Sequence, residues 1–196
     1  MLLTDHLKDW QVILVSQSPR RRELLGGLEI DFTATSIDTD ETYPSNLSGA
    51  QIPTYIAEQK AMAFKPQIFE KQLAITADTV VICNDRVMGK PKSHEEALEM
   101  LRQLQGCTHK VITGVCLLSL QKMRSFHAIS DVTFAPITDE EIEHYIERYR
   151  PYDKAGSYGV QEWIGFIGIE KLVGSYYNVM GLPTHRLYKE LKLFFE

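Results

Sequence analysis

Asp78 and Thr79 interrupt a run that is otherwise strand-forming, falling between Ala74-Ile75-Thr76-Ala77 and Val80-Val81-Ile82-Cys83. The flanking β-formers drive a carboxylate into the middle of an apolar strand. An ionised carboxylate is strongly disfavoured there unless a cation, a metal or hydrogen-bond donors meet it. Asn84-Asp85 then supplies turn chemistry, Arg86-Val87-Met88 returns as a short strand, and Gly89-Lys90-Pro91 carries an ammonium back towards the acid. The stretch from Leu73 to Pro91 reads as an active-site hairpin built around Asp78. A structural Asp–Lys pair at a strand end would leave the same trace.

A second constellation is Ser16-Gln17-Ser18-Pro19-Arg20-Arg21-Arg22, which follows the short apolar strand Gln11 to Val15. Ser18 has the chemistry of an N-cap, Pro19 fits the first helical position, and Gly26-Gly27 fits the stop. Three arginines in the first turn oppose the helix dipole by roughly 0.3–1 kcal/mol each, and a docked anion would reverse that sign. Ser16 to Arg21 therefore reads as a polyphosphate cradle, with a solvated basic turn as the plainer alternative.

Other segments must position these groups. Asp31 to Ser36 alternates as a second strand and leads into the acidic Ile37 to Thr42, where Glu41 is either an outer metal ligand or solvated loop charge. Ile52, Ile56, Ala57, Lys60, Ala61 and Phe64 are spaced as one helix ended by Pro66. Lys60 flanks its apolar face, a position that slightly favours snorkelling to solvent over reaching a buried anion.

Ser93 opens a helix to about Gln103, with His94 in its exposed first turn and Gly106 as its stop. Thr108 to Leu118 and Phe126 to Phe134 read as long adjacent strands, with His109 at an exposed strand start. Thr138 to Glu141 is a capping box for a helix ending before Pro151. In Asp153 to Gln161, Asp153 is suited to cap a short helical turn with Lys154 at its positive end, and Gly156 and Gly159 allow close backbone approach. A strand from Ile164 to Leu172, a turn-rich loop from Gly174 and a packing helix from Pro183 complete the chain.

The 196 residues favour one domain with two lobes and a substantial core. No apolar run approaches the ~20 residues that cross a bilayer, and Met1 to Trp10 lacks signal-peptide character, so a cytoplasmic protein is expected. Cys83, Cys107 and Cys116 lack zinc or disulfide spacing and read as buried free thiols. A net charge of −5 argues against a broad nucleic-acid-binding surface.

Ser16-Gln-Ser-Pro-Arg-Arg21, Ala77-Asp-Thr-Val-Val81 with Gly89-Lys-Pro91, and Asp153-Lys-Ala-Gly-Ser-Tyr-Gly-Val-Gln161 with Gly174 to Val179 and Gly181-Leu-Pro183 together resemble the Maf (septum-formation) family. The resemblance covers nearly the whole chain. It implies a nucleoside triphosphate pyrophosphatase that cleaves between the α- and β-phosphates with a divalent cation, Mg²⁺ or Mn²⁺. The glutamine at the end of the third motif is similar to the branch acting on dTTP and UTP, whereas the branch acting on 7-methyl-GTP carries Glu there. By motif match, Asp78 is the proton acceptor, Arg20, Thr79 and Gln161 set substrate choice, and Arg21, Lys60 and Lys90 contact phosphates. Ser16, Ser18 and Lys154 complete the expected substrate-binding set, and Glu41 with Asp78 the metal ligands. Gln17 and Glu162-Trp163 depart from the small and Gly-rich residues usual in the family.

The physical reading agrees with the resemblance. A triphosphate needs cations on rigid supports and a metal to neutralise developing charge. Gln161 offers a donor and an acceptor that suit O4 and N3–H of uracil or thymine, although a half-turn of the amide would suit cytosine. Two other functions fit the same residues: pyrophosphatase action on modified nucleotides, or nucleotide-binding regulation of cell division. The expected architecture is an α/β fold with an elongated, twisted mixed sheet flanked by helices in a Maf/ITPase-like arrangement. A cleft between two lobes is expected, and the resemblance adds a homodimer.

Overall fold

Fifteen segments of regular structure alternate along the computed structural model, which describes residues 2–196. They run α1 (Leu3–Leu7), β1 (Gln11–Val15), α2 (Pro19–Gly26), β2 (Phe32–Thr35), α3 (Gln51–Phe64), β3 (Gln72–Cys83), β4 (Arg86–Met88) and α4 (His94–Leu104). Then follow β5 (Thr108–Leu118), β6 (Met123–Phe134), α5 (Asp139–Tyr149), α6 (Trp163–Gly168), β7 (Ile169–Val173), α7 (Tyr176–Met180) and α8 (Thr184–Phe195). Short 3₁₀ turns at Lys65–Gln67 and Ala155–Ser157 extend the pattern.

The strands form one seven-stranded mixed sheet in the order β2-β1-β3-β5-β6-β7, with β4 paired to β3. β1 lies parallel to both β2 and β3, placing Leu14 beside Ala34 and Ile75. Flanked on both edges, β1 is apolar and buried from Val12 to Val15, as a strand inside a parallel ladder requires. β4 returns antiparallel along β3 through Asn84 and Asp85, both at positive φ, which is the two-residue hairpin chemistry their side chains tolerate.

Two compact units divide the chain. The first comprises the chain up to Asp78 with Thr113–Ala128 and Gly181–Glu196; the second comprises Thr79–Ile112 and Ile129–Met180. In the first, Ala57, Ala61 and Phe64 from α3 pack on Ile13, Ala74 and Cys116 from the sheet. In the second, α4 and α5 bury Leu101, Leu104, Ile142 and Ile146.

Several local expectations change. Ile164 to Gly168 is helical, and the strand begins only at Ile169. A Cβ at Gly165 would fall on the Val160 carbonyl, so the chain turns tightly where an apolar run alone suggests extension. α7 occupies part of the expected loop, and α1 had no sequence signal. Asp153 does not cap the 3₁₀ turn; its carboxylate pairs with Lys154 instead. His109 is buried, not a surface residue, and Cys107 is only partly buried, whereas Cys83 and Cys116 are fully so.

Candidate active site

In the first unit, α3 sets a lysine against the acid of β3. The Thr76 hydroxyl donates to the Ala57 carbonyl at 2.6 Å, tying the strand to the helix one turn before Lys60. Gly114 on β5 lets α3 come close, since a Cβ there would fall on the Pro53–Thr54 peptide. Lys60 Nζ consequently lies 2.8 Å from Asp78 Oδ1 and 2.8 Å from Glu41 Oε1. Asp78 is only 8% exposed, so the ammonium supplies the partner that burial demands. Lys60 thus reaches a buried anion, contrary to the snorkelling expected from its position on the helix.

The serine–arginine turn folds as expected. Ser18 Oγ accepts the Arg21 N–H at 3.4 Å as an N-cap, and Ser16 Oγ accepts the Ser18 N–H at 3.2 Å. Arg21 points inward: its Nε donates to the Gly181 carbonyl at 2.8 Å and its Nη1 to the Ala77 carbonyl at 2.9 Å. Burial holds the Arg21 guanidinium below its usual pKa; Asp78 opposes that, Arg20 reinforces it and Glu41 opposes it again. Arg21 therefore shares one electrostatic neighbourhood with Asp78, Arg20 and Glu41, while Arg22 is exposed.

In the second unit, Thr79 is partly exposed and Lys90 exposed. The Gly156 N–H donates to the Gly89 carbonyl at 3.0 Å, fixing the Asp153 to Gln161 segment beside the end of the hairpin. Gly156 has a φ of 69°, and a Cβ there would sit 2.9 Å from Val81 Cγ2. Both its conformation and its closeness to β3 call for glycine. Lys154 is 7% exposed and lies between Asp153 Oδ1 at 2.8 Å and Glu162 Oε1 at 3.1 Å. Glu162 Oε2 accepts the Tyr145 hydroxyl, which in turn accepts the Gly159 N–H at 3.0 Å. Burial and then the Glu162 bond push the Tyr145 hydroxyl above its usual pKa, so it stays a donor. Gln161 Oε1 is buried without a hydrogen-bond partner among the described residues, an arrangement costing about 1–3 kcal/mol unless a ligand completes it.

Residues 11–194 match the family described as Maf-like protein. The chain belongs to the Maf-like protein family. It is 52% identical over 193 residues to the dTTP/UTP pyrophosphatase of Parabacteroides distasonis, covering 98% of this chain and 100% of that one. It is 53% identical over 197 residues to the dTTP/UTP pyrophosphatase of Porphyromonas gingivalis ATCC 33277, covering 99% of each. A solved HAM1 protein from Coxiella burnetii has a TM-score of 0.49 and 14% identity over 94% of this chain and 99% of that one.

Within this Maf-like protein the expected residues gather in two sets. Ser16, Ser18, Arg20, Arg21, Glu41, Lys60 and Asp78 belong to the first unit, and Thr79, Lys90, Lys154 and Gln161 to the second. Sequence reasoning missed Glu162 and Tyr145 as the supports of the Gln161 segment. Tyr145 was legible only as part of an amphipathic stripe, but the acid following Gln161 was already a departure from the family pattern. His109 was also missed as a packing group; its Nε2 lies 2.7 Å from the Tyr158 hydroxyl, and its ring meets Phe134 and Tyr158 edge-on.

Proposed function

We propose that this protein hydrolyses dTTP and UTP to the nucleoside monophosphate and pyrophosphate. The observation that carries the reading is the buried Asp78 carboxylate held by Lys60 in the electrostatic neighbourhood of Arg21, in a chain about half identical to dTTP/UTP pyrophosphatases over their whole length.

In this reading the Ser16 and Ser18 hydroxyls and the N-terminus of α2, with Arg20 and Arg21, receive the triphosphate. Lys60 and Lys90 add positive charge to it. Asp78 accepts the proton of the attacking water, and the water adds across the α–β anhydride so that pyrophosphate leaves. Thr79 and Gln161 face the nucleoside, where Gln161 Oε1 accepts the N3–H of uracil or thymine. A partner for that atom is what the second unit itself leaves unmade.

A divalent cation, Mg²⁺ or Mn²⁺, belongs to the same reading, held by Asp78 and Glu41. The donor set fits: both carboxylates converge on one atom, Lys60 Nζ, and one or two carboxylates plus substrate phosphates suit a hard octahedral cation. When bound, such a cation neutralises charge on the phosphates as the anhydride breaks. We extend the reading to a cytoplasmic protein, which its free cysteines suit, and to a homodimer, for which exposed Phe166 and Val173 supply apolar surface.

A panel of nucleoside triphosphates with products resolved by ion-exchange chromatography tests the activity. The expected result is dTMP and pyrophosphate from dTTP, abolished by chelation. Orthophosphate and dTDP would contradict the assigned bond, and modified nucleotides preferred over dTTP would displace the substrate assignment.

A further inference from the structure

Glu162 is the residue that follows Gln161, and its side chain and backbone close a ring around that position. The Glu162 N–H donates to the Gly159 carbonyl at 3.0 Å, and the Gly159 N–H donates to the Tyr145 hydroxyl at 3.0 Å. Tyr145 completes the circuit by donating to Glu162 Oε2, while Glu162 Oε1 holds the ammonium of Lys154 at 3.1 Å. Gly159 is part of this device, because a Cβ there would lie 2.8 Å from Glu162 Cδ and expel the carboxylate.

Two residues, Val160 and Gln161, are therefore strung between fixed points. Tyr145 is fully buried in α5, so the circuit is anchored in the core of the second unit. The Gln161 amide oxygen has no hydrogen bond of its own among the described residues, so its neighbours must hold it in place. A glycine at 162 would keep the backbone bond to Gly159 but supply neither the acceptor for Tyr145 nor the partner for Lys154.

We infer that Glu162 is a positioning residue that fixes Gln161 for the pyrimidine base and thereby sets discrimination among bases. The inference rests on the proposed reading in which Gln161 faces the base. Lys154 is part of the same support, since its charge is already met by Asp153 and Glu162. The effect falls on base selection, because the anhydride that breaks is held by other residues.

The test compares kcat and KM for dTTP and CTP in the wild type, Glu162→Gln, Tyr145→Phe and the double variant, with urea midpoints measured in parallel. Each single variant is expected to lower the dTTP-to-CTP ratio of kcat/KM about tenfold, chiefly by raising KM for dTTP. The double variant should fall short of the product of the two effects, because Glu162→Gln weakens, by removing the charge on the acceptor, the same hydrogen bond that Tyr145→Phe removes. Tyr145→Phe keeps the shape of the core and carries the test if Glu162→Gln does not fold. A selective wild type whose variants lose stability while keeping the ratio overturns the inference alone. A wild type that does not distinguish dTTP from CTP overturns the base-facing reading, and the inference with it.

Discussion

Lys60 Nζ stands 2.8 Å from Asp78 Oδ1, with the two side chains only 13% and 11% exposed, whereas Glu41, on the same nitrogen at the same distance, is 45% exposed. One ammonium thus serves a buried and a solvated carboxylate, and the two pairs differ in energy. Breaking a buried pair leaves an uncompensated charge and costs about 3–5 kcal/mol, while an exposed pair contributes roughly 0–1 kcal/mol.

Lys60→Met is therefore expected to destabilise the protein by about 3 kcal/mol in urea unfolding and to abolish turnover. Glu41→Gln should shift stability by less than about 1 kcal/mol yet slow dTTP hydrolysis, since its proposed role lies with the metal. Asp78→Asn should lose about 10²–10⁴-fold in kcat while still binding nucleotide by calorimetry. Equal stability losses in Lys60→Met and Glu41→Gln would show that the buried pair is not the stronger one.

Arg21 is expected to resist conservative replacement. Its fork reaches two carbonyls at once, those of Ala77, next to Asp78, and of Gly181, and a lysine cannot span both. Arg21→Lys should reduce kcat/KM for dTTP about 10- to 100-fold, the scale of losing one hydrogen bond from a charged group. Arg22→Ala, on the exposed face of the same turn, should stay within about twofold, as surface changes remote from special features usually do. An unimpaired Arg21→Lys beside an impaired Arg22→Ala would argue that net positive charge, not the fork, matters.

These contrasts mark how much of the molecule was legible in the sequence. Elements with strong local chemistry were readable: the Ser18 cap with Pro19, the Asn84-Asp85 hairpin, and the Thr138 to Glu141 capping box all form where the residues place them. The serine–arginine turn and the buried acid were readable because each carries an unfavourable local feature that only a partner can relieve. What stayed hidden depends on distant contacts. Whether Lys60 reaches Asp78 or water is decided by how closely α3 packs on β5. Whether Ile164 to Gly168 is helix or strand is decided by the Val160 carbonyl above Gly165, since a short apolar run has no diagnostic period.

His109 supplies a pH dependence. Burial, opposed by Asp131, pushes its imidazole from 6.5 down to about 4, so the folded chain holds it neutral. The pKa is depressed, so between pH 6.5 and about 4 the unfolded chain binds a proton that the folded chain does not. Stability therefore falls as pH drops through that window, by up to about 1.4 kcal/mol per pH unit, and is unaffected by this group above it. His109→Gln removes the titration while keeping an amide to face the Tyr158 hydroxyl. Urea midpoints at pH 7 and pH 5 should differ more in the wild type than in His109→Gln; identical differences would refute the assignment.

Gly114 tests whether close packing of α3 is what delivers Lys60 to the acid. The glycine lies on β5, where a new Cβ would overlap the peptide joining Pro53 to Thr54 in the first turn of α3. Main chain cannot swing away as a flexible side-chain tip can, so Gly114→Ala must push the helix outward or strain the strand, costing about 1–3 kcal/mol. The Thr76–Ala57 hydrogen bond of 2.6 Å resists that shift one turn before Lys60, so the displacement reaches the lysine only in part. A displaced Nζ loses its 2.8 Å contact with Asp78, and activity should fall about tenfold or more, since misplacement of about 1 Å can cost 10²-fold. The combination expected from Gly114→Ala is a lower urea midpoint together with a lower kcat. A variant destabilised to that degree but fully active when folded would show that Lys60 is positioned by its own ion pairs and not by the seating of the helix.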